Sequence, residues 1–125
     1  MVTMDLEQPH PHSVSVEISG CDKHDARIVF DTLCACFESD RRADDVPEVL
    51  HETRPTVWLG TFDVADEHEG ARPARLAHSV DADLYGGYWA IEHFRTRLDS
   101  LFTVRDLSTV SGDQERELHL RLESR

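Results

Sequence analysis

Between residues 13 and 19 apolar and polar positions alternate, with Val14, Val16 and Ile18 pointing one way and Ser15 and Glu17 the other. A period of two predicts a half-buried strand, closed by Gly20 and Asp22. The period then changes. Over residues 25–38, Ala26, Val29, Phe30, Leu33 and Phe37 fall on one stripe, while Asp31 and Glu38 lie opposite. That spacing predicts an amphipathic helix, with Asp22 or His24 as its cap and acidic residues of the first turn facing the positive end of the helix dipole.

Residues 39–55 are polar and acidic and end at Pro55. A structureless connection of that length is uncommon in a compact domain, and Asp45 to Leu50 suits one short helical turn with Pro47 near its start. Residues 56–64 predict a strand with apolar groups on both faces: Trp58, Phe62 and Val64 on one, Val57 and Leu59 on the other. After a turn at Asp66, Glu67, His68, Glu69 and Gly70, residues 75–85 alternate again, with Leu76, His78, Val80, Ala82 and Leu84 on one face. These two segments predict a hairpin with a long tip. Gly86 and Gly87 break the pattern. A second helix follows over 88–102, its buried stripe formed by Ala90, Ile91, Phe94, Leu98 and Leu101, with Trp89 roughly opposite. Residues 103–110 and 116–123 predict two last strands about a Ser111-Gly112-Asp113-Gln114 turn, the second carrying Leu118, Leu120 and Leu122 on one face. No internal repeat is visible.

The predicted order, β-α-β-β-α-β with a further C-terminal strand, implies an α+β fold. The expected form is a ferredoxin-like split βαβ sandwich, an antiparallel sheet with two helices on one face. Residues 1–12, ending Pro9-His10-Pro11-His12, read as a flexible N-terminal tail before a single domain over 13–125. The sheet's other face is left open or paired with a second chain, and Val57 and Leu59 lean towards pairing.

Composition narrows the partners more than it names a function. The chain has 125 residues and a net charge of −12. A field of that sign repels phosphate backbones and anionic lipid, so neither nucleic acid nor a membrane is an expected partner. An RNA-binding sheet would also need stacking aromatics and basic residues on its central strands; Val14 to Ile18 supplies none, and the third strand carries Asp81 and Asp83. The first residues, Met-Val-Thr-Met-Asp-Leu-Glu-Gln-Pro, have neither a basic start nor an apolar run, which predicts a cytoplasmic protein whose three cysteines stay reduced.

The candidate chemistry is sparse. Cys34 and Cys36, about 200° apart on a helix, cannot chelate one ion together, and no metal or cofactor is expected. His68 among Asp66, Glu67 and Glu69 lacks the spacing and central glycine of a calcium loop. No nucleophile is paired with a base, and no phosphate loop or zinc-protease motif occurs, so no catalytic residue is assigned.

Two sets of candidates remain. His78, on the apolar side of its strand, with Tyr85, Trp58, Gly86 and Gly87, would wall a small-molecule pocket between sheet and helices. Val57, Leu59, Trp89 and Tyr88 would serve an interface, since large aromatics off the buried stripe are frequent binding anchors. The expected function is a small acidic binding or regulatory module without catalytic activity. It would act through the open sheet face and acidic loops on a basic protein or as a homodimer. The alternative is a cofactor-independent small-molecule enzyme or ligand-binding domain.

Overall fold

The computed structural model describes residues 12–39, 57–68 and 71–125, without the side chain of Asp66. The predicted tail before residue 12, nearly all of the 39–55 connection and the end of the 66–70 turn lie outside the described residues. The elements run β1 (Ser13–Ser19), α1 (Lys23–Cys36), β2 (Phe37–Ser39), β3 (Trp58–Glu67), β4 (Val80–Gly87), α2 (Tyr88–Leu101), β5 (Thr103–Ser111) and β6 (Glu115–Glu123).

The alternation in β1 does what its period demands. Val14, Val16 and Ile18 are buried, and so are Phe62 and Trp58, which lie opposite Val14 and Ile18 on β3, and Leu84 and Ala82, opposite Val16 and Ile18 on β4. Leu118, Leu120 and Leu122 of β6 continue the same apolar face. Both helices cover it: Phe62 stacks on Phe30 of α1 at 6.2 Å and meets Phe94 of α2 at 6.0 Å, and Phe94 stacks on Phe37 at 5.1 Å. Burying each such ring stabilises the fold by about 1.5–3 kcal/mol. In α1, Asp22 is the N-cap, its side chain accepting from the Asp25 amide at 2.9 Å.

The architecture is an α+β fold with a six-stranded, wholly antiparallel sheet in the order β2-β3-β1-β4-β6-β5. That order departs from the ferredoxin-like expectation. β3 and β4 do not form a hairpin; they flank β1, both antiparallel to it, and so run parallel to each other. The chain between β3 and β4 must therefore return along the sheet, and its described part, residues 71–79, is a crossover strap and not a hairpin tip.

The strap is tethered by its own backbone. The Leu76 amide donates to Ser124 Oγ at 2.7 Å, and that hydroxyl donates back to the Leu76 carbonyl at 3.0 Å. The Ala77 and His78 amides donate to the two carboxylate oxygens of Asp25 at 2.9 and 3.0 Å. Asp25 is the one fully buried charged residue among those described. Its place in the first turn of α1 suits a carboxylate. β4 begins only at Val80, because these tethers take up amides that a longer strand would give to the sheet.

The sheet also divides into two copies of one plan. β1-α1-β2-β3 and β4-α2-β5-β6 are each a βαββ unit with the last strand inserted between the first and second, joined where Val16 pairs with Leu84. Each helix is 14 residues long and passes straight into an extended phenylalanine, Phe37 or Phe102, whose amide donates to Leu33 or Leu98. The sequence hides this repeat. Gly20, Cys21 and Asp22 separate β1 from α1, whereas α2 follows β4 without a spacer. Leu33 and Phe37 recur as Leu98 and Phe102, but other equivalent core positions hold different apolar residues, such as Val29 and Phe94.

Candidate functional site: the uncovered sheet face

With both helices on one side, the odd-numbered positions of β1, β4 and β6, with Leu59, Thr61 and Asp63 of β3, form a face that no described residue covers. One row across the strands reads Leu59, Glu17, Asp83, His119 and Ser108; the next reads Thr61, Ser15, Tyr85, Glu117 and Val110. Asp81 and Arg121 pair in a third, 3.2 Å apart. Leu59 is 46% exposed and Tyr85 38%. This face is polar and largely acidic at its centre, with apolar groups towards its margins.

His119 is the focus of the charge. Its Nδ1 lies 2.6 Å from Asp83 Oδ1 and its Nε2 lies 2.7 Å from Glu117 Oε2. The hydrogen bond to Asp83, reinforced by both carboxylate charges, raises its pKa above the ordinary histidine value, against a smaller opposing effect of desolvation. The two carboxylates favour the protonated ring, in which both nitrogens can donate. Ser108 of β5 is its register partner. The phenol of Tyr85 is pushed up by desolvation and then by the charges of Glu117, Glu17 and Asp83. The arrangement can hold cationic groups against carboxylates.

The pocket drawn from the sequence is not assembled. Trp58 is 2% exposed, in the core on the helix side, while Tyr85 is on the opposite face of the sheet. The indole Nε1 of Trp58 is buried without a hydrogen-bond partner among the described residues. His78 is not on the apolar face of a strand; it is exposed in the strap. Gly86 and Gly87 do not break β4 but end it, paired with Arg116 and Glu115. A Cβ on Gly86 would lie 2.8 Å from the Ser13 carbonyl oxygen, so glycine here permits the close approach of β1 and β4. The interface candidates divide. Leu59 shares the open face with Tyr85, Val57 is half-buried just before β3, and Tyr88 and Trp89 lie on the outward side of α2.

The cysteines are separated thiols. Burial, then the charges of Asp25, Asp22 and Asp81, push Cys21 up to about 12. Cys36 is buried and raised by desolvation, although Arg97 Nε, 2.8 Å from its sulfur, pulls the other way. Cys34 lines a shallow cavity of about 330 Å³ with Asp31, Glu38 and His68. Among the described residues no three His, Cys, Asp or Glu side chains converge on a metal-binding geometry, and no helix is long and apolar enough to cross a membrane.

Sequence reasoning singled out neither the Asp83–His119–Glu117 cluster nor Asp25. The signal for the cluster was present: Asp81, Asp83 and Tyr85 alternate against Ala82 and Leu84, and His119 alternates against Leu118 and Leu120. Only the pairing of β4 with β6, which local pattern does not specify, brings them together. The chain matches no protein-family model, no curated protein and no solved structure.

Proposed function

We propose that the chain is a non-catalytic binding module that receives a basic protein segment on the uncovered face of its sheet. The observation that carries this reading is the central row of that face. There Glu17 and Asp83 lie side by side in register, His119 is already clamped between Asp83 and Glu117, Leu59 stands exposed at the row's end, and Tyr85 is exposed in the next row among the carboxylates. Carboxylates beside exposed apolar side chains suit a segment that brings lysine or arginine together with apolar residues. A face-to-face homodimer would set these carboxylates against their own copies, which favours a basic partner over a second chain. A cytoplasmic setting fits the three thiols.

The test is quantitative affinity capture from a lysate of the source cells, followed by binding measurements on the captured partner. Wild type is compared with a Glu17→Lys, Leu59→Lys double variant. A basic partner held by wild type, released by salt and lost in the variant supports the reading. The same partners retained at the same affinity by the variant refute it.

A further inference from the structure

The outward side of α2 carries a second surface, on the other side of the sheet from the open face. Tyr88, Trp89, Glu92, His93 and Thr96 line an open groove of about 300 Å³ there. Trp89 is 54% exposed. Leaving so large an apolar side chain in water forgoes much of the 1.5–3 kcal/mol or so that burial would contribute.

The indole is also held in place. It stacks on His93 with centroids 5.1 Å apart and 9° between the planes, and His12 meets it edge-on at 5.1 Å. His93 Nε2 is hydrogen-bonded to Glu67 Oε1 at 2.8 Å, and Glu67 is paired with Arg97 at 3.3 Å. A ring fixed before binding loses little freedom on binding.

The chemistry of the groove is that of a cation site. An aromatic face attracts positive charge through its quadrupole, and Glu92, exposed one turn along, makes no ion pair among the described residues. The neighbouring ring already shows the preference: the Arg116 guanidinium lies 4.9 Å from the Tyr88 ring centroid, with its Nε buried and without a hydrogen-bond partner. The chain's net charge of −12 draws cations towards the whole surface. From the exposed Trp89 platform, the Glu92 carboxylate and the Tyr88–Arg116 precedent beside them, we infer that this groove binds an arginine side chain of a partner segment. The guanidinium stacks on Trp89, with Glu92 as counter-charge. Arginine is preferred to lysine because only a planar cation stacks on the indole while its edge donates to a carboxylate.

The experiment follows the two indole N–H signals of the full chain by NMR during titration with acetyl-Gly-Arg-Gly-Arg-Gly-amide and with its lysine counterpart of equal charge. The expected result is a saturable shift of the Trp89 signal with that of Trp58 unmoved. The arginine peptide binds at least about threefold more tightly. Read at the backbone amides of His93 and Thr96, which every variant keeps, Trp89→Ala abolishes the interaction, Trp89→Phe retains part of it, and Glu92→Gln weakens it severalfold. Circular dichroism confirms that each variant is folded.

Equal affinity for the two peptides, unaffected by Trp89→Ala, would overturn the inference and leave only attraction by the overall field. Shifts confined to Glu17, Asp83 and their neighbours would overturn it too, while leaving the open-face reading intact. Absence of any Trp89 shift at millimolar peptide rejects the groove.

Discussion

Replacing Asp25 by alanine tests whether a buried carboxylate holds the two halves of this chain in place. In the folded protein the side chain has no exposed area, and its two oxygens accept from the Ala77 and His78 amides at 2.9 and 3.0 Å. A hydrogen bond to a charged group contributes about 1.5–3 kcal/mol. The lower end applies here, because residues 77 and 78 are themselves exposed and their freed amides can bind water. A carboxylate in the first turn of a helix adds about 0.3–1 kcal/mol through the dipole. The expected loss is therefore about 3–4 kcal/mol, a large share of the 5–15 kcal/mol or so that holds a domain together.

Urea unfolding of wild type and Asp25→Ala measures it directly, and amide exchange at residues 77 and 78 shows where it arises. Asp25→Asn keeps one acceptor but presents an N–H₂ group to the other amide, so it should lose nearly as much. A change below about 1 kcal/mol at an unaltered denaturant slope, with exchange at 77 and 78 unaffected, would refute the assignment of Asp25 as the strap's anchor.

Three further perturbations probe other parts of the fold. Gly86→Ala places a methyl 2.8 Å from the Ser13 carbonyl oxygen; it should cost about 1–3 kcal/mol by forcing β1 and β4 apart, read as a lower urea midpoint. The raised pKa of His119 means that its folded form binds a proton more tightly than its unfolded form. Its contribution is thus complete below the unfolded value near 6.5 and is lost as pH rises through the higher folded value. The melting-temperature gap between wild type and His119→Gln should be widest in mildly acidic solution and narrow on the alkaline side; a gap that widens with pH would contradict the clamp. Among the thiols, Cys34 should react first with iodoacetamide at pH 8, since Cys21 is pushed up to about 12 and Cys36 is buried, as peptide mapping would show.

The parts of this fold that local periodicity encodes are those the sequence made legible. β1, α1, α2 and β6 each follow from a single clean period, and the off-stripe position of Trp89 followed from the same arithmetic. The error at the hairpin came from a different kind of information. Two strands with one apolar face and an acidic, glycine-containing segment between them look alike whether they pair with each other or both pair with a third. The choice was made by β1, which offers two edges, and by Asp25, which captures the amides of the connecting segment. His78 was misplaced for the same reason: its alternation with Leu76 and Val80 extends the pattern of β4 past the point where the backbone leaves the sheet. The open-face cluster needed both parity and pairing, and only parity is written locally. Conversely, parity alone sets Tyr85 opposite Ala82 and Leu84 in β4, so a shared pocket with the core residue Trp58 was never compatible with it.

The two βαββ units are, in effect, partners joined by a leash. Their shared core, in which Phe94 of the second unit lies against Phe37 and Phe62 of the first, is an association surface that two separate chains would have to find by diffusion. The strap that includes residues 71–79 converts that encounter into an intramolecular one, at the high effective concentration of a short tether. A chain cut within the strap should therefore fold in a protein-concentration-dependent manner, whereas the intact chain should not.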